Sequence, residues 1–272
     1  MPTVDLYDSA YGNYEEDVYR QIRIATYGED FGQTSWVTND ESSEIPQLLA
    51  VTPNSHTLEI GCGSGRYALQ IAETTGCSIV GLDVNEAGIR NAKALVNARG
   101  LSGRVFFEHC DASEGLPFRH ASFDAAFAND VICHIPRRLS LLLEVFRVLK
   151  PLGRLLFSDA LVIGGAISHE EIATRSSIGY YLFTPPGHNE ELIRKAGFRL
   201  LRVSDTTANT TRIAMRWRDA RDSRRDELIA VEGEPNFDGL QQFLSCVCAL
   251  NSERRLLRYV YLAEKDPVPV GD

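Results

Sequence analysis

The eight residues LEIGCGSG, at positions 58–65, join a short apolar run to a stretch with helical periodicity. Glycine at positions 61, 63 and 65 allows the backbone to turn tightly and to approach a ligand, because no Cβ stands in the way. In open α/β sheets, ligands bind at the carboxyl ends of the strands, where this turn is predicted to lie. The turn by itself is weak evidence, since many strand–helix turns contain glycine and bind nothing.

Short apolar runs and helical patterns alternate on both sides of this turn. The predicted strands span residues 56–60, 78–82, 105–111, 123–130, 154–161, 199–207 and 255–265. The predicted helices span residues 66–76, 85–99, 137–149 and 190–198, with two further helical stretches at 209–230 and 237–250. Strands that alternate with helices of this length indicate βαβ units, a parallel sheet and therefore an α/β fold.

The composition is that of a globular protein and excludes one class of partner. The chain has 272 residues, with 28 Lys and Arg against 37 Asp and Glu, and a formal net charge of −9. A protein that binds the phosphate backbone of nucleic acid needs a basic face, so we expect no nucleic-acid partner. Residues 216–227 hold five arginines, but the four carboxylates among them indicate an exposed helix with ion pairs.

The sequence also lacks the signals of export, membrane insertion and metal binding. The N-terminal segment has no basic stretch followed by an apolar one, and no apolar run approaches the roughly 18–20 residues of a membrane span. The six cysteines contain no CxxC pair, and the six histidines show no zinc-ligand spacing. We therefore predict a cytoplasmic protein with reduced thiols, no metal site and no membrane span.

Polar residues follow the predicted strands at the edge where a ligand would bind. Asp83 comes 22 residues after Gly61, and a carboxylate there can accept the hydroxyls of a ribose. Asp111 can accept an adenine amino group, and Asn129 ends the fourth strand. The dinucleotide fingerprint GxGxxG needs glycine where Arg66 stands, and a carboxylate near the turn would repel a pyrophosphate. A nicotinamide cofactor is therefore disfavoured.

These pieces together resemble the class I S-adenosylmethionine-dependent methyltransferases, in their small-molecule branch. The motifs that carry the resemblance are ExGxGxG at 59–65, Asp83, CDA at 110–112, FDAAFANDVICHI at 123–135 and RVLKPLGRLLFSD at 147–159. The resemblance implies a Rossmann-like seven-stranded, mostly parallel sheet with an antiparallel last strand, and S-adenosyl-L-methionine as cofactor. One departure is Leu152, where the family usually has glycine; we expect the turn to stay intact.

The resemblance also implies how one domain, residues 1–272, is divided. It implies a helical N-terminal arm or lid at 1–45, a cofactor-binding core at 46–160 and substrate-covering segments at 161–190 and 208–252, the second a helical insertion before the last strand. The residues expected to bind the cofactor are Gln33, Trp36, Glu59, Gly61, Gly63, Asp83, Val84, Asp111, Ala112 and Asn129. Trp36 is as readily interpreted as a core aromatic that anchors the arm.

The candidate catalytic residues are His134, Tyr11 and Tyr14. His134 follows the fourth strand and would act as a base, and the resemblance implies that an N-terminal tyrosine would be its partner. Two structural interpretations stay open. The histidine could pack against the following helix, and Tyr7, Tyr11 and Tyr14, spaced by four and three residues, could form one apolar helix face.

The predicted function is transfer of a methyl group to nitrogen or oxygen of a small molecule by in-line displacement. The alternatives are a lipid or phosphobase acceptor, a nicotinamide-dependent oxidoreductase, and a protein that binds S-adenosylmethionine without catalysis. Residues 1–50 hold ten carboxylates against Arg20 and Arg23, which gives a hypothesis that the arm attracts a cationic sulfonium or amine. The oligomeric state stays open, with a homodimer among the options.

Overall fold

A seven-stranded sheet forms the centre of the protein, whose computed structural model describes residues 4–266. The strands are β1 (His56–Ile60), β2 (Ser78–Asp83), β3 (Val105–His109), β4 (Phe123–Ala128), β5 (Leu149–Ile163), β6 (Phe198–Asp205) and β7 (Leu256–Lys265). Their order is β3-β2-β1-β4-β5-β7-β6. β7 runs antiparallel to both β5 and β6, whereas β1 to β5 pair in parallel. The predicted Rossmann-like architecture is therefore confirmed.

Helices cover both faces of this sheet and one of its ends. They are α1 (Tyr7–Gly12), α2 (Asp17–Tyr27), α3 (Asn39–Leu48), α4 (Arg66–Thr75), α5 (Glu86–Ala98), α6 (Arg138–Val148), α7 (His169–Arg175), α8 (His188–Lys195), α9 (Thr207–Asp222), α10 (Arg225–Glu232) and α11 (Glu234–Ser252). Apolar residues of α3, α4 and α5 pack on one face, and those of α6 and α8 pack on the other. No helix within residues 4–266 is both long and apolar enough to cross a bilayer.

Local chemistry sets where these elements end. Gly76, with φ +78°, closes α4 in the left-handed conformation that glycine adopts without strain. The Asn85 side chain accepts a hydrogen bond from the Gly88 amide at 2.9 Å and so caps the start of α5. Pro151 lacks an N–H and falls just after α6, as predicted.

Three predicted strands, β3, β4 and β6, end two residues earlier than expected, and one predicted helical stretch is divided. β3 stops at His109, because the Asp111 carboxylate accepts the Ser113 amide at 2.9 Å and begins a single 3₁₀ turn. β4 stops at Ala128, because Asp130 adopts φ +58° and turns the chain away. The stretch predicted at 209–230 breaks into α9 and α10 around residues 223–224.

The N-terminal arm and the helical insertion share a third core, which we call the helical cap. It joins α1 and α2 to α9, α10 and α11, and its largest buried side chains include Trp36, Trp217, Phe237 and Phe243. Ala160 of β5 and Ile178 connect this core to the sheet. The cap therefore brings the first fifty residues against residues more than 150 positions later.

Leu152 lies at an irregularity between β4 and β5. The pairing register passes from Phe123–Leu149 to Ala125–Arg154, so the residues between form a bulge. Leu152 has φ +63°, in the left-handed region that favours glycine, and its side chain is exposed. The turn is intact despite the departure from the family's glycine.

Candidate active site

A cavity of about 560 Å³ opens at the carboxyl ends of β1, β2 and β4. Strand order reverses here, since β2 and β3 lie to one side of β1 and β4 lies to the other. Such a switch point leaves a crevice above the sheet. The wall includes Gly61 after β1, Asp83 at the end of β2 and Asn129 after β4, and the arm closes it from above.

The glycine turn forms the floor of the cavity. Gly61, Gly63 and Gly65 all have positive φ, at +71°, +52° and +84°. A Cβ on Gly63 would lie 2.4 Å from the hydroxyl of Tyr11, so no larger residue fits while the arm is in place. The Gly63 amide donates to the Asp83 carboxylate at 2.7 Å, which ties the turn to the end of β2.

Glu59 lies beneath this turn and is absent from the cavity wall. Its side chain is 1% exposed and accepts a hydrogen bond from the Ala68 amide in the first turns of α4 at 3.1 Å. Burial raises the pKa of this carboxyl well above its ordinary value, although the Ala68 hydrogen bond opposes the shift. Glu59 therefore fixes α4 relative to β1 and reaches a ligand only through the turn.

The wall beyond β2 and β3 combines carboxylates with apolar surface. Both Asp83 oxygens accept backbone amides, from Gly63 and, at 2.8 Å, from Asn85, and burial raises the pKa of this carboxyl. Val84 next to it is 60% exposed and faces the cavity. Asp111 and the buried Ala112 follow β3 and complete this side. An acidic group beside flat apolar surface suits a ribose joined to a purine.

Several buried polar atoms on the wall have no hydrogen-bond partner within residues 4–266. They include the Nδ2 atom of Asn129 and the hydroxyl of Ser64 in the glycine turn. Buried polar groups are normally satisfied, so such atoms beside a cavity indicate that a polar ligand completes them. The residues present therefore fit a cofactor that carries hydroxyl, amino and carboxylate groups.

Loop residues 31–36 form the opposite wall, and their polar groups are largely engaged with the protein. The Gln33 side chain accepts the Phe31 amide at 2.7 Å and donates to the Glu29 carbonyl at 3.0 Å, so it shapes its own loop. The Trp36 ring packs 6.0 Å from Trp217 and also lines the cavity. Trp36 thus combines the two interpretations that the sequence left open.

His134 forms a hydrogen-bonded pair with Tyr7 above the cavity. Its Nδ1 lies 3.0 Å from the Tyr180 carbonyl, which can only accept, so Nδ1 carries the proton. Nε2 therefore has the free lone pair and accepts the Tyr7 hydroxyl at 3.0 Å. Burial lowers the pKa of His134 to about 4, and burial also raises the pKa of Tyr7. The imidazole is neutral at physiological pH and can accept a proton.

The other two candidate tyrosines do not contact His134. Tyr11 lines the cavity above the glycine turn, and its hydroxyl bonds to Thr34 at 2.9 Å. Tyr14 lies outside the wall with the Arg23 guanidinium 4.6 Å from its ring centroid. The helix α1 ends at Gly12, so Tyr14 does not continue the face that Tyr7 and Tyr11 share.

Three wall residues were not among the candidates. Asp130 accepts the Trp36 amide at 2.9 Å and bonds the buried Arg258 at 2.6 Å, so it holds the arm to the sheet. Tyr181 packs its ring 4.5 Å from His134, and Arg175 lies beside Tyr181. The position of Asp130 after β4 was a usable signal, whereas nothing local marks the other two. The wall takes residues from 161–190 but none from 208–252.

The described residues contain neither a disulfide nor a potential metal site. All six cysteines are free thiols. Within residues 4–266 no cluster of histidine, cysteine and carboxylate side chains could hold a metal ion.

Known proteins with similar sequences transfer methyl groups. A family model described as a methyltransferase domain matches residues 58–157. The O-methyltransferase resE of Aspergillus sclerotiorum is 33% identical over 175 residues, which cover 63% of this chain and 65% of that protein. The O-methyltransferase rstn1 of Aspergillus nomiae is 30% identical over 163 residues, which cover 60% of this chain and 72% of that protein.

Solved structures extend the likeness to the whole fold. Phosphoethanolamine N-methyltransferase 2 of Haemonchus contortus, in complex with S-adenosyl-L-methionine, has a TM-score of 0.78 at 23% identity. The similarity covers 94% of this chain and 60% of that chain, and at this identity it shows the fold alone. Three curated relatives are matched over 61–65% of their own lengths, so the chain spans just under two thirds of them.

Proposed function

The chain belongs to the family of class I S-adenosylmethionine-dependent methyltransferases, and we propose that it moves a methyl group to an oxygen atom of a small molecule. Oxygen is favoured over nitrogen because two of the similar proteins are named O-methyltransferases. The observation that carries the proposal is the His134–Tyr7 pair above the cavity, in which Nε2 of His134 is the hydrogen-bond acceptor. A hydroxyl nucleophile needs such a base more than an amine does.

Most of the expected cofactor residues keep the roles proposed for them, whereas Gln33 and Glu59 would act indirectly. Asp83 would accept the ribose hydroxyls, and Asp111 with Ala112 would hold the adenine. The glycine turn and Asn129 would face the methionine part, where the unpartnered Asn129 amide is a donor for a carboxylate. Gln33 and Trp36 would bound that part by shaping the loop above it, and Glu59 would support the turn from below.

Methyl transfer requires the protein to align the acceptor, to exclude water and to accept one proton. S-adenosylmethionine, when bound, supplies a methyl group already activated on a sulfonium. The wall must align the acceptor oxygen with it, and the arm must exclude water. His134 Nε2 would accept the acceptor's proton, either directly or through the Tyr7 hydroxyl that now occupies it. Tyr11 would contribute by closing the arm over the glycine turn, and Tyr14 has no place in the reaction.

The test separates binding from transfer. Calorimetric titration of the purified protein with S-adenosylhomocysteine and with NAD should show binding of the first and none of the second. Incubation with methyl-labelled S-adenosylmethionine and a panel of phenols, secondary alcohols and hydroxy acids should place label on oxygen. Binding of NAD alone would overturn the family-based assignment of the cofactor, and binding without label transfer would favour a non-catalytic role.

A second panel of amines, including phosphoethanolamine, tests the alternative acceptor class. Label on nitrogen alone would replace the O-methylation proposal with N-methylation of an amine or phosphobase. We also propose a cytoplasmic location and assembly as a homodimer. Fractionation of cells and light scattering of the purified protein test them.

A further inference from the structure

Six arginines are buried within residues 4–266, and one of them has no carboxylate partner. Five are in ion pairs: Arg23 with Asp30, Arg66 with Glu29, Arg138 with Asp159, Arg221 with Glu232, and Arg258 with Asp130 and Glu41. The sixth is Arg175, the last residue of α7, which is 1% exposed. A buried cation is costly unless an anion or hydrogen bonds compensate it. The exception therefore needs an explanation.

Aromatic rings surround the Arg175 guanidinium without satisfying its donors. Its central carbon lies 4.9 Å from the ring centroid of Tyr181, 4.8 Å from that of Phe243 and 5.7 Å from that of Trp36. Within the described chain, Nε, Nη1 and Nη2 have no partner at hydrogen-bond geometry, although the Tyr181 hydroxyl also interacts with the guanidinium. Rings interact with the face of a guanidinium, whereas its N–H donors lie in its plane. The donors that Tyr181 does not take are free for a group in the cavity, which Arg175 lines.

The position of this cation matches the acceptor side of the cavity. Tyr181, which packs against Arg175, also packs 4.5 Å from the His134 ring. The cofactor's carboxylate has nearer partners at the glycine turn, where Ser64 and two nitrogens of Arg66 are also unpartnered. An anion on Arg175 would therefore stand one ring away from the proposed base and apart from the turn.

We propose that Arg175 binds an anionic oxygen group of the methyl acceptor, a carboxylate or a phosphate. The planar fork of the guanidinium suits both groups, since each can accept two parallel hydrogen bonds. The inference deepens the proposed function: the acceptor is a hydroxylated molecule with a negative charge, held at one end by Arg175 and presented at the other to His134.

The binding test uses benzoate and phenyl phosphate as probes and neutral phenol as their control. Each is titrated into the protein loaded with S-adenosylhomocysteine. At least one anion should bind more tightly than phenol by about tenfold to a hundredfold, the scale of a hydrogen bond to a charged group. The better anion identifies the group. Arg175→Met should reduce its affinity to that of phenol, and Arg175→Lys should restore part of it.

A stability measurement separates a ligand-binding arginine from a structural one. Arg175→Met removes an uncompensated charge, so the Tm without ligands should stay or rise. Arg138→Met is the matched control, because it leaves Asp159 buried without its cation and should lower the Tm. An equal fall in both variants would overturn the proposal, as would equal affinity of the anions for wild type and Arg175→Met.

Two further outcomes are distinguishable from these. If Arg175→Met weakens S-adenosylhomocysteine itself, Arg175 serves the cofactor and the acceptor proposal is wrong. If wild type binds no S-adenosylhomocysteine, the proposed function fails, and titration of the anions into the ligand-free protein still decides whether Arg175 is an anion site.

Discussion

The two sides of the cavity are assembled from very different distances along the chain. Gly63 and Asp83, on the cofactor side, are 20 positions apart and hydrogen-bonded to each other. Tyr7 and His134, on the acceptor side, are 127 positions apart, and Arg175 comes from a third segment. The cofactor side is thus a local product of one βαβ unit, whereas the acceptor side exists only when the helical cap has packed. A site built from one local unit suits a cofactor that many enzymes share. A site built from distant segments suits an acceptor that differs between enzymes.

The largest expected effect tests the acceptor side. His134→Gln should lower kcat by about 10²–10⁴, because the proposed base for the acceptor's hydroxyl proton is lost. The affinity for S-adenosylhomocysteine should be unchanged, since the cofactor side is intact. Steady-state kinetics and calorimetry measure the two quantities.

His120→Gln provides the matched control, because His120 is exposed in a turn outside the cavity wall. Its turnover should equal that of wild type. Unchanged turnover in His134→Gln would remove the histidine as base and leave the Tyr7 contact as packing.

A pair of core substitutions tests whether the sheet and the helical cap unfold separately. Phe127 in β4 and Phe237 in α11 are both fully buried, and replacing either by alanine should cost about 3–5 kcal/mol. Phe127→Ala should reduce amide protection throughout the chain. Phe237→Ala should reduce it in α1, α2 and α9 to α11, while the sheet stays protected. Hydrogen exchange measures this, and uniform loss in both variants would show a single cooperative unit.

A smaller effect is expected on the cofactor side. Asp83→Asn should weaken binding of S-adenosylhomocysteine by about 1–3 kcal/mol, because an amide accepts the ribose hydroxyls less well than a carboxylate. Glu86→Gln, an exposed neighbour three residues on, should have no effect. Equal calorimetric affinities for Asp83→Asn and wild type would reject the ribose role.

The bulge at Leu152 gives a prediction away from both regions. Leu152→Gly should stabilise the protein by up to about 1 kcal/mol, since it relieves a side chain held at positive φ. The gain is limited by the greater freedom of glycine in the unfolded chain. Urea denaturation measures it, and a lower midpoint would mean that the exposed leucine packs usefully.

The smallest predicted effect is a nearly constant kcat/KM as the pH falls. His134 has its pKa lowered to about 4, so it should stay neutral as pH falls through the range where an ordinary histidine protonates. Between pH 7.5 and 5.5, kcat/KM should change less than about twofold, whereas a histidine near 6.5 would lose about tenfold. A tenfold fall with intact circular dichroism would mean that the bound imidazole is far more basic than the buried one.

Sequence patterns correctly predicted that the residues after β2, β3 and β4 meet at one edge of the sheet, because this part of the fold is local. Asp83, Asp111 and Asn129 follow parallel strands, and the ends of parallel strands share one edge of the sheet. Tyr7 could not be chosen over Tyr11 and Tyr14 in this way, because the choice depends on where α1 ends and which face the cap presses inward. The sequence likewise cannot show that Arg175 lacks a carboxylate partner, because ion pairing depends on how the chain packs.

The carboxylates of the N-terminal arm have a more specific role than giving it a net negative charge. Three of its carboxylates, Glu29, Asp30 and Glu41, are partners of buried arginines. Three of the ten carboxylates in residues 1–50 therefore neutralise buried cations, and only the others are available to attract a cationic ligand. The unpaired Arg175 places a positive charge in the acceptor side instead.

Arg258 has a consequence for how the chain matures on the ribosome. It lies on β7 and bonds both Asp130, which holds the Trp36 amide, and Glu41 at the base of the arm. The anchor of the arm is thus a residue that lies 217 positions after Glu41. We expect the nascent sheet to emerge with its ligand edge uncovered, and the cavity to close only when β7 has left the exit tunnel.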